Sequence, residues 1–411
     1  MDSTNRTAFA MIAAAVAATL GTALASASSP PIHAARYQTT WLISKNRHGH
    51  TPNGPSTHGV ISGDRRYARV IAFQSEASDL VAGDTNGVSD VFAIRRAGSF
   101  GNDGSAWHGG KPILLSRGRH GKPANGPSFD PAVDGNFRSA PRCVAFLSAA
   151  SNLVKRDTNG KVDAFLSQGP GDSLSRMSMP GGHQANSDTT AVAVSGDCSH
   201  VAYVIGGRLY VRSGGRSTKI ATGASDPSFA VGEGDDLVFG AGGDIYLSSG
   251  GTGHPNRVAS GRNPAYNSLK RNVVAYETHR SGHWQIAFRD LGQGQHVVTT
   301  HGGHEGNGDS RNPVLANSGY YIGFETDASD LGTNPNGDLR DWDGKPDTYL
   351  YTDTRKLTLL ESVDASRHTL PGGGANPSVS YYANYFLFDS PAPLGAVSRD
   401  HQVFMRYLGP V

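Results

Sequence analysis

Short apolar runs separated by glycine, asparagine and aspartate recur along the chain from residue 37 onward. In each recurrence one strand-like run ends in Phe or Tyr, and a second such run follows after a gap. Val70–Phe73 is followed by Val91–Phe92, and Leu237–Phe239 is followed by Ile245–Tyr246. No long window shows a helical period. The pattern therefore predicts an all-β protein built from repeats.

Seven such units are present; each has a further short strand before the pair, and all but the last have another after it. The first strands of the seven pairs are Val70–Phe73, Val144–Phe146, Val201–Tyr203, Leu237–Phe239, Val273–Tyr276, Tyr321–Phe324 and Tyr385–Phe388. The seventh unit lacks an outer strand before Val411, and Thr40–Ser44 has the pattern of one. We therefore predict a seven-bladed β-propeller closed by the N-terminal strand, which completes the last blade and leaves no free edge.

Three stretches, at 62–96, 142–167 and 319–353, carry a more specific likeness. They resemble TolB-type (WD-repeat-like) β-propeller repeats of exported bacterial proteins. The resemblance extends over residues 37–411 and implies the propeller fold. TolB has six such blades and a second domain, whereas this sequence shows seven units. TolB's partners are therefore not carried over, because propellers host many unrelated functions.

The first residues have the character of a targeting segment. Arg6 precedes a small-residue apolar stretch, and Ala23–Ala25 and Ala25–Ala27 fit small-x-small cleavage sites. We expect a signal peptide at 1–27, a linker at 28–36 and a single propeller domain at 37–411. The mature chain is then secreted, periplasmic or part of the cell envelope, with no membrane span after cleavage.

Composition narrows the class of partner. The 37 basic residues are balanced by 35 acidic ones, so no electrostatic footprint for nucleic acid is present. The 53 glycines and 22 prolines disfavour an all-helical chain. We expect a monomer that needs no cofactor and whose partner is an extracellular or cell-envelope protein or a glycan.

The sequence has two cysteines, Cys143 and Cys198. Both precede the first aromatic strand of neighbouring units, so an exported chain could join them in an inter-blade disulfide. Two buried free thiols are the alternative.

Loop lengths are unevenly distributed among the units. The two aromatic strands are far apart in units 1, 2, 6 and 7 and close together in units 3, 4 and 5. The connections to the next inner strand are also long at 44–55, 116–127, 299–312 and 361–376. Antiparallel alternation brings both kinds of loop to one face. We predict that this half-face binds a ligand, whereas neutral insertion is the alternative.

The long loops between the aromatic strands share an Asp-x-[Asn/Asp]-Gly-x-x-Asp pattern. Oxygen side chains at that spacing could bind calcium, although the Glu that completes an EF-hand is missing; tight turns capped by Asx side chains are the alternative. The candidate ligands are Asp84, Asn86, Asp90, Asp157, Asn159, Asp163, Asp341, Asp343 and Asp347.

The other long loops share arginine and histidine next to an Asn-Gly pair. Arginine offers a planar donor fork and histidine a titratable proton, so they suit anionic or hydroxyl-rich ligands. The alternative is a structural motif copied between units. The candidate ligand-binding residues are Arg47, His48, Arg119, His120, His301, His304, Arg311, Arg367 and His368.

The chain has no Gly-x-Ser-x-Gly elbow, no His-Glu-x-x-His motif and no Walker loop. These observations favour a non-enzymatic binding or scaffold module with a ligand face in units 6, 7, 1 and 2. A glycan-active enzyme, above all a polysaccharide lyase acting on acidic sugars, is the alternative, and no catalytic residue is assigned. In that chemistry Arg would neutralise the uronate carboxylate and His or Tyr would move the proton.

Overall fold

A computed structural model describes residues 39–65, 67–97, 107–169, 174–269, 271–298, 304–316, 319–331, 343–364, 368–391 and 400–409. Within these residues, seven sheets of four antiparallel strands form the blades of a propeller. The predicted all-β, seven-bladed fold is therefore confirmed. The predicted signal peptide and linker lie outside the described residues. Among the described residues, no helix is long and apolar enough to cross a membrane.

We label the strands of each blade A to D in order from the innermost to the outermost. Blade 1 consists of β2 (Ser56–Ile61), β3 (Val70–Ser75), β4 (Asp90–Arg95) and β5 (Ile113–Leu114). Blade 2 consists of β6 (Ser128–Val133), β7 (Cys143–Ser148), β8 (Asp163–Gln168) and β9 (Leu174–Arg176). Blade 3 consists of β10 (Thr189–Val194), β11 (His200–Ile205), β12 (Arg208–Ser213) and β13 (Arg216–Thr222). Blade 4 consists of β14 (Ala224–Phe229), β15 (Leu237–Ala241), β16 (Asp244–Ser248) and β17 (Asn256–Ser260).

The remaining blades follow the same order. Blade 5 consists of β18 (Arg262–Asn267), β19 (Val273–Arg280), β20 (His283–Asp290) and β21 (Gln295–Val297). Blade 6 consists of β22 (Ser310–Ala316), β23 (Tyr321–Thr326), β24 (Asp347–Thr352) and β25 (Leu357–Leu360). Blade 7 consists of β26 (Ala375–Val379), β27 (Tyr385–Ser390), β28 (Gln402–Tyr407) and β1 (Thr39–Leu42). Short 3₁₀ turns lie at Arg119–Gly121, Pro180–Gly182 and Ser249–Gly251.

The N-terminal strand closes the ring, as predicted. β1 pairs antiparallel with β28, with Trp41 opposite Met405. The Trp41 ring also stacks on Tyr407 at a centroid distance of 6.4 Å. The first and last described strands therefore share one blade, and the outer edge of β28 is covered.

The repeated aromatic residues form cross-strand pairs between strands B and C. Six pairs lie in direct register with ring centroids 5.5 to 6.0 Å apart. They are Phe73–Phe92, Phe146–Phe165, Tyr203–Tyr210, Phe239–Tyr246, Phe324–Tyr349 and Phe388–Phe404. In blade 5, Tyr276 faces Ala287 instead. The aromatic of strand B is buried in every blade, so these pairs define the blade cores.

A disulfide joins Cys143 of blade 2 to Cys198 of blade 3, with a Cα–Cα distance of 6.2 Å. Cys143 begins β7, and Cys198 lies in the turn between β10 and β11. This covalent link therefore joins neighbouring blades at the face that carries the AB hairpins.

The AB hairpin of blade 2 spans the axis at this same face. The Phe137 ring lies 5.5 Å from Tyr381 of blade 7, and its backbone N–H donates to Gly232 of blade 4. Arg65 of blade 1 donates to the Phe137 carbonyl at 2.6 Å. One residue thus contacts three other blades, so it ties blades 1, 4 and 7 together at this end of the central channel.

Candidate ligand face

Strand A begins and strand B ends at the same face of every blade. The BC loop, between strands B and C, and the DA loop, from strand D to the next strand A, therefore project from that face. In blade 1 the backbone N–H of Asn53, in a DA loop, donates to the Asp79 side chain in a BC loop at 3.1 Å. We call this the long-loop face, because the predicted long loops of both kinds meet on it.

The contact between the two loops is an asparagine–serine clip that repeats in three blades. Asn125 donates to the Ser151 hydroxyl at 2.9 Å and accepts the Ser151 backbone N–H at 2.8 Å. The equivalent pairs are Asn53–Ser78 in blade 1 and Asn307–Ser329 in blade 6. The glycine that follows is required, because a Cβ on Gly126 would lie 2.9 Å from Ala149. The Asn-Gly part of the repeated signature therefore locks the long loops together.

The last aspartate of each Asp-x-[Asn/Asp]-Gly-x-x-Asp loop has a structural role. Asp90 is buried and accepts from the Ser116 hydroxyl at 2.5 Å and from Asn86 at 2.6 Å. Ser178 binds Asp163 in blade 2, and Ser362 binds Asp347 in blade 6, in the same way. These carboxylates anchor strand C to the chain that follows strand D.

In blade 2 an arginine supplies the positive charge for this loop. The Arg176 guanidinium lies 2.9 Å from Asp157 and 3.3 Å from Asp163. Gln184 accepts a further bond from the same nitrogen at 3.0 Å, and Asn159 donates to Asp163 at 2.9 Å. Both carboxylates among the predicted calcium ligands of this loop are thus paired with Arg176.

In blade 1 the equivalent carboxylates are Asp84 and Asp90, and no arginine among the described residues pairs with them. Leu114 occupies the register position that Arg176 occupies in blade 2, opposite the aromatic of strand C. Burial, reinforced by the negative charge of Asp84, raises the pKa of Asp90 to about 6. Burial also raises the pKa of Asp84. Calcium at Asp84, Asn86 and Asp90 stays a prediction, and this blade is where the described residues leave the negative charge uncompensated.

The blade 6 copy of the loop is only partly described. Asp341 lies outside the described residues. Asp343 accepts the backbone N–H groups of Lys345 and Gly372, at 3.0 and 2.9 Å. Its carboxylate therefore holds its own turn and the DA loop. Calcium at this loop likewise stays a prediction.

The predicted arginine–histidine residues are spread along the long-loop face. Arg47 donates to the neighbouring His48 at 3.0 Å, and Arg119 lies 3.3 Å from His120 in the same way. His48 and His120 are both exposed and lie in equivalent DA loops of adjacent blades. The structure thus presents two equivalent arginine–histidine pairs to solvent.

The other predicted residues are placed differently. His304 is exposed, and His368 is exposed and lies 3.3 Å from Asp364 of its own loop. Arg311 lies in strand A of blade 6, where it pairs with Glu325 at 2.5 Å and Asp327 at 2.6 Å. His301 and Arg367 lie outside the described residues. The described contacts therefore do not unite these histidines in one cluster.

Two grooves flank the outer strand of blade 1. One, of about 560 Å³, lies against blade 7 and is lined by residues that include Trp41, Lys45, Arg47, Trp107 and Lys111. The other, of about 670 Å³, lies against blade 2 and is lined by residues that include Arg117, Arg119, Leu153, Lys155 and Leu174. Pro112, just before the outer strand, lines both grooves. A pocket at the opposite face, lined by residues that include Arg65, Tyr67 and Arg138, is smaller, at about 220 Å³.

A hydrogen-bonded belt at the long-loop end of the channel was not predicted. In blades 1, 5, 6 and 7 a polar residue follows the aromatic of strand B and accepts the backbone N–H of a bulged residue in the next blade. The acceptor–donor pairs are Gln74–Asp130, Glu277–Asn312, Glu325–Asn376 and Asp389–His58, at 2.7 to 3.1 Å. All four donors have positive φ, between 49° and 54°. The belt therefore joins blades 5, 6, 7, 1 and 2, and all of these except blade 5 belong to the predicted long-loop units.

Asp389 differs from the other carboxylates of the belt. Glu277 and Glu325 are neutralised by Arg262 and Arg311, but Ala375 holds the equivalent position opposite Asp389. Burial raises the pKa of Asp389 to about 7. One of its oxygens has no hydrogen-bond partner among the described residues. Among the described residues, Asp389 is thus a buried acid without a counter-charge at the junction of blades 7 and 1.

A mixed donor cluster lies at the opposite face. Atoms of Asp197, His200 and Asp235 that could bind a metal ion lie within 4.8 Å of one another between blades 3 and 4. Burial and the charge of Asp197 raise the pKa of Asp235. Asp197 accepts bonds from Ser195 and Ser199 within its hairpin, so its role there is to cap the turn.

Known structures share this architecture at low sequence identity. The β-propeller domain of the Trilobed protease from Pyrococcus furiosus is 9% identical, with a TM-score of 0.50, over 86% of this chain and 93% of that chain. A chain from a study of two prolyl endopeptidases is 10% identical, with a TM-score of 0.51, over 87% of this chain and 48% of that chain. The chain has the β-propeller fold. At these identities the likeness concerns the fold alone.

A TolB structure from Agrobacterium tumefaciens is also similar, at 15% identity and a TM-score of 0.38, over 87% of this chain and 91% of that chain. The sequence matches no family model and no curated protein. The Pyrococcus propeller has an open velcro topology. In the present propeller, by contrast, β1 closes the last blade.

Proposed function

We propose that this propeller is an exported, non-enzymatic binding module, secreted or held in the cell envelope, whose ligand face is the long-loop half-face of blades 6, 7, 1 and 2. The observation that carries the proposal is the repeated asparagine–serine clip. Its three described copies lie in blades 1, 2 and 6 and hold long BC and DA loops together on one face. Loops that are long and also locked onto a rigid scaffold favour binding over neutral insertion.

The hydrogen-bonded belt is a second observation in favour of a ligand face on blades 6, 7, 1 and 2. Its four junctions connect blades 5, 6, 7, 1 and 2, so the strands beneath the long loops are rigidly connected. A rigid platform lowers the entropic cost of ordering a binding surface. The exposed Arg47–His48 and Arg119–His120 pairs supply donors suited to anionic or hydroxyl-rich ligands.

The test is a binding survey with purified polysaccharides. Polygalacturonate, alginate, chondroitin sulfate, peptidoglycan and neutral dextran are each immobilised, and binding is measured by biolayer interferometry. We expect binding to at least one polymer, with a loss in the His48→Ala/His120→Ala variant. The matched control, His254→Ala/His279→Ala, changes histidines of blades 4 and 5. Failure of every polymer to bind would contradict a glycan-binding module.

The same samples decide between binding and catalysis. A polysaccharide lyase that acts on acidic sugars creates a conjugated product absorbing near 235 nm, whereas a binding module leaves the absorbance unchanged. A steady rise in absorbance with polygalacturonate, alginate or chondroitin sulfate would overturn the non-enzymatic assignment. In that event, Arg and His on the long-loop face would be the first residues to test as acid–base groups.

A further inference from the structure

The two grooves that flank the outer strand of blade 1 contain an unusual concentration of unpaired positive charge. Their described lining residues include Lys45, Arg47 and Lys111 in one groove and Arg117, Arg119 and Lys155 in the other. None of the described lining residues is acidic. The chain as a whole carries a formal charge of only +2, so this density belongs to the grooves and not to the protein in general.

Arginines elsewhere in the propeller are commonly bound to carboxylates. Arg69, Arg262 and Arg271, for example, each lie within 3.1 Å of an Asp or Glu oxygen. By contrast, the six groove cations form no ion pair with any described residue. All except the half-buried Arg119 are exposed. Charge that the fold does not use internally is available to an anionic ligand.

Apolar side chains also line both grooves. Trp41 and Trp107 lie in the groove beside blade 7, with the Trp107 indole N–H donating to the Ala68 carbonyl at 2.7 Å. Leu153 and the half-buried Leu174 line the groove beside blade 2. Indole rings and aliphatic side chains suit the apolar faces of sugar rings, while the surrounding Lys and Arg side chains suit their carboxylates.

We propose that the two grooves, on either side of the outer strand of blade 1, together form a binding site for an acidic polysaccharide chain, with a uronate polymer as the model ligand. This proposal rests on the proposed binding function and specifies its ligand class and location. The chain crosses the outer strand of blade 1 at Pro112, so that both sets of cations contact one polymer. A sugar polymer is favoured over nucleic acid because the chain has 37 basic and 35 acidic residues, without the overall basic excess typical of nucleic-acid-binding domains.

The experiment uses the full mature chain and polygalacturonate, with binding measured by isothermal titration calorimetry at 50 and 500 mM NaCl. Lys111→Glu/Arg117→Glu/Lys155→Glu reverses three exposed groove charges. The matched control, Arg208→Glu/Arg216→Glu/Lys219→Glu, reverses three exposed charges of blade 3 that have no ion-pair partner among the described residues. Both variants change the net charge equally, so long-range electrostatics is matched.

We expect the groove variant to lose at least about tenfold in affinity at 50 mM NaCl and the control to lose less than about threefold. The wild-type affinity should also fall more steeply with salt than that of the groove variant, because the variant makes fewer ionic contacts and so releases fewer counterions on binding. Equal losses in both variants, or a groove variant that binds normally, would place the polymer elsewhere while leaving the binding module intact. Equal affinity for double-stranded DNA would overturn the assignment to a sugar polymer. If the protein binds a neutral polymer but not polygalacturonate, the proposal that the ligand is acidic is wrong, whereas the proposed binding function stands.

Discussion

Arg176 is the most informative residue for the energetics of the long loops. Its guanidinium contacts Asp157 and Asp163, and the three side chains are 8%, 3% and 0% exposed. Removal of the cation leaves two buried carboxylates without compensation, which costs about 3–5 kcal/mol in comparable buried pairs. The substitution Arg176→Leu reproduces the situation of blade 1, where Leu114 holds the same register position. We therefore expect Arg176→Leu to be strongly destabilising.

The expected cost converts into a shift of the melting temperature. Unfolding entropy near 2.1 cal/mol/K per residue gives a chain of this size a Tm decrease of about 4–6 °C for such a change. Differential scanning calorimetry at pH 7.5 measures this decrease. At pH 5 the decrease should be smaller, because an uncompensated carboxylate pair binds a proton more readily than a paired one.

The control is Arg257→Leu, which breaks a solvent-exposed pair with Asp244. That change should shift Tm by only a small fraction of the Arg176→Leu effect, since exposed ion pairs contribute little. If Arg176→Leu melts no lower than Arg257→Leu at pH 7.5, the reasoning that Arg176 neutralises the blade 2 loop is refuted.

Three further predictions concern buried acids and the disulfide. Burial raises the pKa of Asp389 from 3.8 to about 7. The protonated side chain therefore stabilises the fold fully below about pH 4, and this stabilisation is lost as the pH rises through 7. Asp389→Asn should therefore be more stable than wild type at pH 8, by up to about 4 kcal/mol, but not at pH 4; urea unfolding at both values checks this. Asp84→Asn should raise Tm at pH 8, because it removes the negative charge that repels the Asp90 carboxylate. If the blade 1 loop binds calcium, millimolar calcium should raise the Tm of the wild type more than that of this variant. Cys143→Ser/Cys198→Ser removes a disulfide between residues 55 positions apart and should lower the free energy of unfolding by about 4 kcal/mol in the chain-entropy model. An unchanged urea midpoint would contradict that expectation.

The fold was predictable because its determinants are local and repeated. The aromatic of strand B and its partner in strand C, such as Phe73 and Phe92, recur in register regardless of the length of the loop between them. The pattern of Thr40–Ser44 likewise identified the closing strand. Each of these features is a short run of residues that is visible in the sequence alone.

The site was less predictable because its contacts join distant residues. Arginine–histidine pairs were visible in the sequence, but their position beside grooves depends on Trp107 and Lys111, which lie in another loop. One half of the belt is visible in the sequence, because a polar residue follows the strand B aromatic in four blades, as in Phe388-Asp389. Its partner is the bulged residue of the next blade, which only the three-dimensional register reveals. Arg176 was missed because no motif relates it to Asp157.

The measurement that tests the central claim most directly is hydroxyl-radical footprinting of the wild-type chain with and without polygalacturonate. The account predicts protection of Trp41, His48, His108 and Leu174, which lie in or beside the grooves that flank the outer strand of blade 1. Protection confined to blades 3 to 5, or to Tyr67 and Phe137 at the opposite face, would contradict it.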